Sequence, residues 1–172
     1  MINYDLSKIT TVIFDVDGVL SDNTIPMDSN GNPIRTMNIK DGYAIRLAAK
    51  QGIRLAILTG GKDDSIVYRY SKLGMKDIFM GAAVKVSIYE DYCKKNGLTD
   101  EEIIYVGDDI PDYEIMSRVG CSCCPSDACS DIKDISTYVS PNPGGNGCVR
   151  DILEQVLRAK GLWLSSAKAF GW

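Results

Sequence analysis

Two carboxylates, Asp15 and Asp17 in Phe14-Asp-Val-Asp-Gly18, stand directly after the apolar, β-branched run Thr10-Thr-Val-Ile-Phe14. Spacing of two puts both side chains on the same nominal side of an extended backbone, and a turn at Gly18 lets them diverge into separate roles. A second acidic group, Gly107-Asp-Asp-Ile-Pro-Asp112, follows the apolar run Ile103 to Val106. Ligands of open parallel sheets bind outside the carboxyl ends of the strands, so both groups sit where chemistry is expected. Bringing Asp15, Asp108 and a third acid together without a cation carries a heavy penalty in repulsion and desolvation. A site of hard oxygens that keeps some water is what Mg²⁺ prefers. Leu58-Thr-Gly60 ends another apolar run, and Lys85 opens a helical pattern. A hydroxyl, a backbone N–H beside glycine and an ammonium together suit a phosphate. A solvated Asp-x-Asp-Gly turn is the bland alternative for the first pair; an EF-hand loop is spoiled by Val19, Leu20 and the missing terminal Glu.

These residues need a scaffold that gathers strand ends. Thr10–Phe14, Arg54–Leu58, Asp77–Met80 and Ile103–Val106 read as strands, the first buried on both faces. Between them lie helical patterns over Tyr43–Gln51, Ser65–Leu73, Val84–Asn96 and Pro111–Val119, followed by Gly52, Gly74, Gly97 and Gly120 in the manner of C-terminal caps. The alternation predicts an α/β fold, a Rossmann-like parallel sheet with helices on both faces. Residues 24–39 break the rhythm: Asp28-Ser-Asn-Gly31 between two short apolar runs reads as a projecting β-hairpin. Pro141-Asn-Pro-Gly-Gly-Asn-Gly147 reads as loop geometry before a final helix from about Val149 to Lys160. The apolar tail after Gly161, ending Phe170-Gly-Trp172, is expected to pack on something. Residues 1–172 are thus read as a single domain.

Composition excludes several functions. There are 19 basic and 23 acidic residues, a net charge of -4, and no basic cluster of the kind that nucleic acid selects. No apolar run approaches the length of a membrane span, and Met1–Lys8 lacks the apolar core of a secretory signal; the expected location is the cytoplasm. Six cysteines, four of them within Cys121–Cys129, lack the usual C-x-x-C pair and any histidine. They read as small buried hydrophobes rather than zinc ligands, with Cys121 and Cys123 alternating in a short strand.

Asp15-x-Asp17, Thr59, Lys85 and Gly107-Asp108-x-x-x-Asp112, in that order, resemble the four motifs of the haloacid dehalogenase-like hydrolase superfamily. The resemblance implies that Asp15 attacks phosphorus and that Asp17 protonates the leaving oxygen and later deprotonates water. It also implies Mg²⁺ held by Asp15, the Asp17 carbonyl and Asp108, with Asp109 or Asp112 behind them. The intervals between motifs are consumed by a hairpin, two helices and a strand, so no cap domain fits. More finely, Asp15–Asp22, Asn38–Arg46 and Gly144–Arg150 are similar to the phosphatases of 3-deoxy-manno-octulosonate 8-phosphate, which act in lipopolysaccharide precursor synthesis. That resemblance implies a homotetramer in which a neighbour's hairpin and tail cover the site. It further implies substrate contacts from Asp17, Asn38, Ile39, Lys40, Asp41, Gly42, Arg46, Gly60, Arg69 and Lys85. Cations at 46 and 69 suit a sugar acid with both carboxylate and phosphate. One departure stands out: the family's Thr-Gly-Arg-Lys is Thr59-Gly-Gly-Lys62 here, with Lys62 as the substitute cation. The neighbouring choice is a 2-keto-3-deoxy-nononate 9-phosphate phosphatase; Asp41–Arg46 favours the eight-carbon sugar. Arg150, at a helix start where the dipole disfavours a cation, points to a structural salt bridge or an inter-subunit contact.

A receiver-type phosphoacceptor would place its acceptor aspartate on the third strand, where this chain has Leu58-Thr-Gly60. A non-catalytic protein on the same fold would be expected to have lost Asp15, Asp17 or Lys85.

Overall fold

The computed structural model describes residues 1–171, apart from the side chain of Lys168. Six parallel strands form one sheet: β1 Thr11–Phe14, β2 Arg54–Leu58, β3 Asp77–Phe79, β4 Ile103–Val106, β5 Cys121–Cys124 and β6 Tyr138–Val139. Their order is β3-β2-β1-β4-β5-β6. The order reverses between β1 and β4, which opens a crevice at their carboxyl ends. Both strands are fully buried, because helices cover each face of the sheet.

On one face, α1 (Ile39–Lys50), α2 (Asp64–Lys72) and α6 (Cys148–Ala159) pack over Val12, Phe14, Ile57, Ile104 and Val106. On the other, α3 (Lys85–Asn96), α4 (Tyr113–Met116) and α5 (Ser130–Ile135) cover Ile13, Ala56, Leu58 and Tyr105. Successive residues of each strand thus feed opposite cores, as the period of two requires.

The helical pattern expected over 111–119 resolves into a 3-10 turn, Ile110–Asp112, and the single α turn of α4. Pro111 sits in that first turn, where a missing N–H is tolerated. Three of the four expected capping glycines are left-handed, but Gly120 is not. It is needed for space instead: a Cβ there would collide with the Tyr4 hydroxyl and lie 2.8 Å from Glu101 Cα. The helix α5 and strand β6 come without a sequence signal, since both are short and partly exposed.

The hairpin over residues 24–39 is closed by one antiparallel bridge, Met27 with Pro33. Asp28 holds its tip, accepting from the backbone N–H groups of Asn30 and Asn32, both at 2.8 Å. The tail returns along α1 of its own chain: Tyr43 donates to the Ala169 carbonyl at 2.6 Å, and Trp163 meets the Tyr43 ring edge-on. Trp172 lies outside the described residues. Cys121 and Cys123 lie on one face of β5 with their sulfurs 3.8 Å apart, and five of the six thiols are buried.

Candidate active site

The sheet ladder carries Asp15 one step past β1, where its N–H still donates to Val106 O at 3.0 Å. Its carboxylate meets the Val16 N–H at 2.7 Å and Lys85 Nζ at 2.9 Å. Lys85, the first residue of α3, is buried and bound on its other side by Asp112 at 2.7 Å. Asp112 is fully buried and also accepts from the Tyr105 hydroxyl at 2.6 Å. One ammonium therefore bridges the end of β1 and the turn after β4.

Carboxylate oxygens of Asp15, Asp108 and Asp112 lie within 4.8 Å of one another. Burial pushes Asp108 up to about 8, helped by the charges of Asp15 and Asp112. Asp15 rises to about 6 through burial and the charge of Asp112, against the pull of Lys85. Burial works against the charge of Lys85, but its two carboxylate partners outweigh it and hold the lysine above its ordinary value. Acids that resist ionisation for want of positive charge, offering only oxygen, fit a hard divalent cation. Asp109 is exposed at the start of the 3-10 turn and is outside this group.

The chain crowds tightly around these acids. Gly18 is left-handed (φ 84°) and lies against Asp108, whose carboxylate a Cβ would overlap. Gly144 in turn presses on the Gly18 carbonyl, and Gly145 donates to Val19 O at 2.9 Å. The glycine-rich loop therefore buttresses the turn after the Asp pair. Thr59 is buried, and its hydroxyl accepts from the Gly61 N–H at 3.1 Å, tightening the turn after β2. Asp15, Asp17, Thr59, Gly60, Gly61, Lys85 and Pro111 line a common cleft of about 280 Å³.

The remaining sequence-predicted residues fall elsewhere. Asn38 caps α1, accepting from the N–H groups of Lys40 and Asp41, and donates to Gly145 O at 3.2 Å. Asp41 caps the start of α6 from a distance, accepting from Arg150 N at 2.7 Å. Asn38, Ile39 and Lys40 line a separate cavity of about 690 Å³ with Arg150, Glu154 and Arg158. Gly42 receives the Arg69 guanidinium, which a Cβ would meet at 2.7 Å. Arg46 donates to Lys72 O at 3.0 Å, on the outer side of α1 and α2. Lys62 is exposed and lays its stem over Gly81. Arg150 forms a salt bridge with Glu154 at 2.9 Å and stacks on Trp163, whose ring centre is 4.5 Å from the guanidinium carbon.

One partner of a cleft residue was not anticipated. Arg35, from the hairpin, clamps Asp17 with two bonds of 2.7 and 2.9 Å and reaches Asp63 at 3.2 Å. The signal available was slight: Arg35 is the single cation between residues 24 and 39.

A nucleophile-bearing strand end at the switch point, flanked by a hydroxyl, an ammonium and further acids, defines a hydrolase built for phosphate. The chain belongs to the haloacid dehalogenase-like hydrolases, whose family model matches residues 71–152. Within them it is similar to 3-deoxy-D-manno-octulosonate 8-phosphate phosphatase KdsC of Escherichia coli (strain K12). The two are 37% identical over 154 residues, which cover 90% of this chain and 82% of the relative. The crystal structure of the Moraxella catarrhalis phosphatase, in complex with magnesium ion, phosphate ion and KDO molecule, superimposes with a TM-score of 0.86. It is 31% identical, covering 90% of this chain and 89% of that one. The Yersinia pestis phosphatase gives a TM-score of 0.88 at 32% identity, covering 92% and 85%.

Proposed function

We propose that this chain is a Mg²⁺-dependent phosphatase that hydrolyses 3-deoxy-D-manno-octulosonate 8-phosphate to the free sugar acid and phosphate, a step in lipopolysaccharide precursor synthesis. The observation that carries it is the buried Asp15–Lys85–Asp112 bridge beside Asp108, in a chain 37% identical to a phosphatase of that substrate. No helix among the described residues is long and apolar enough to cross a membrane.

In this reading the phosphate of the ester sits between Lys85 Nζ and the Thr59 hydroxyl. A carboxylate oxygen of Asp15 bonds to phosphorus as the bond from phosphorus to the sugar oxygen breaks, and Asp17 gives that oxygen its proton. Asp17 then takes a proton from a water whose oxygen attacks phosphorus, which breaks the Asp15–phosphorus bond and restores the carboxylate. Asp112 and Tyr105 position Lys85 throughout. Asp15, the Asp17 carbonyl and Asp108 would hold Mg²⁺, with Asp112 behind them; when bound it would neutralise charge on the acids and the phosphoryl oxygens.

The test is phosphate release from the sugar-acid phosphate, with Mg²⁺ or EDTA, by wild type and Asp15→Asn. Mg²⁺-dependent release that the substitution lowers at least ~1,000-fold is expected. Release only from the nine-carbon 2-keto-3-deoxy-nononate 9-phosphate would move the substrate and keep the chemistry. No release from any phosphate ester would sink the reading.

Residues 1–172 are read as one phosphatase domain that acts in the cytoplasm, where a reducing environment maintains its six thiols. A homotetramer is read from the hairpin, whose Met27 (65% exposed) and Ile34 (54%) suit a neighbour's surface.

A further inference from the structure

The Arg35–Asp17 clamp is out of place in a working cleft. Asp17 must face the leaving oxygen, yet both of its carboxylate oxygens are taken by one guanidinium. The clamp is also built rather than casual. The Arg35 side chain is only 6% exposed, although it comes from a hairpin closed by a single bridge. Its guanidinium fills the slot above Gly61, where a Cβ would lie 2.9 Å from Nη2. Any side chain at 61 would therefore compete with the arginine for that space. Three of its nitrogens are shared between Asp17 and Asp63, so every present partner is a carboxylate. A guanidinium fork matches carboxylate geometry better than any other side chain does.

We propose that Arg35 determines specificity by exchanging carboxylates: a substrate whose leaving group carries a carboxylate takes the fork from Asp17. The exchange leaves the Asp17 carboxyl facing the leaving oxygen. A phosphate ester without a second anion must break the clamp and gets no replacement bond, so the enzyme disfavours it. This rests on the phosphatase reading above and adds the residue that selects an acid as leaving group.

The experiment compares kcat/KM for 3-deoxy-D-manno-octulosonate 8-phosphate and for a hexose 6-phosphate, in Mg²⁺, across wild type, Arg35→Ala and Arg35→Lys. For Arg35→Ala, a loss of about 30-fold or more on the acid is expected, mostly through KM, together with a few-fold gain on the hexose ester. Arg35→Lys keeps the charge without the fork and should recover only part of the preference. A parallel variant, Gly61→Val, keeps Arg35 but crowds its slot, and should lower the preference in the same direction even if the Arg35 variants fold poorly. Equal losses on both esters, or an unchanged ratio in every variant, would overturn the proposal and leave Arg35 a structural clamp. Wild type that hydrolyses both esters without preferring the acid would overturn it and keep the phosphatase. Wild type that hydrolyses neither would overturn the phosphatase reading and this proposal with it.

Discussion

Two concavities of the protein differ in kind, and the larger is not where the acids gather. The cavity of about 690 Å³ is lined from the start of α1 and along α6, and one of its acids is shared between two arginines. There Glu154 is matched by Arg150 at 2.9 Å and Arg158 at 2.6 Å, all on one helix face. The cleft of about 280 Å³ at the switch point is lined by a buried ammonium and by Asp15, whose carboxylate crowds against those of Asp108 and Asp112. In the first, charge is partly paired and in contact with water. In the second, three acids share one ammonium, an excess of negative charge that a cation relieves. Unrelieved electrostatics, not volume, separates a site for chemistry from a surface hollow.

The sharpest way to break that contrast is Lys85→Met. Removing the ammonium leaves Asp15 and Asp112 buried without their partner, and breaking such a bridge costs roughly 3–5 kcal/mol. Denaturant unfolding should register that loss, and phosphate release should fall with it; a stability change below ~1 kcal/mol would mean the bridge is solvated after all.

The next effect concerns pH. Asp108 titrates near 8 and Asp15 near 6 in the folded protein without metal, against about 4 when unfolded. The native state thus holds more protons than the unfolded chain between those values, so stability falls as pH rises from about 4 through 8. Thermal unfolding in EDTA should give a lower Tm at pH 8 than at pH 5, and Mg²⁺ should close the gap. Asp108→Asn should flatten the slope and blunt the Mg²⁺ response; a Tm that rises with pH in EDTA would contradict the electrostatic account.

The smallest effect belongs to the larger cavity. Glu154→Gln removes two i,i+4 pairs that are partly exposed, each worth about 0.3–0.5 kcal/mol. Stability should drop by no more than ~1 kcal/mol, with kcat/KM within about twofold of wild type. A tenfold loss of activity would show that the two concavities communicate.

How much of this could be read from the residues alone follows physical lines. Strands β1, β2 and β4 were legible because burial on both faces demands unbroken apolar runs. The acids after β1 and β4, with Thr59 and Lys85, were legible because strand ends in a parallel sheet converge by topology. Strand β6 was not: two residues with partial exposure leave no pattern. Arg35 escaped for a related reason, since the path of a hairpin held by one bridge is set by tertiary contacts. Asp41 and Arg69 carry charges that suit a ligand, yet the fold uses one to cap α6 and lays the other over Gly42.

The press of Gly144 and Gly145 on the turn after Asp15 has a consequence in the order of synthesis. By the time a ribosome has made Asp112, every acid, hydroxyl and amine of the cleft exists, but the strand β5 and the clasp at 144–145 do not. Chains emerge from the N-terminus onward, and domains fold as units. The last third of the polypeptide therefore acts as a checkpoint: the reactive turn reaches its final shape only once the helix that follows the glycines is in place.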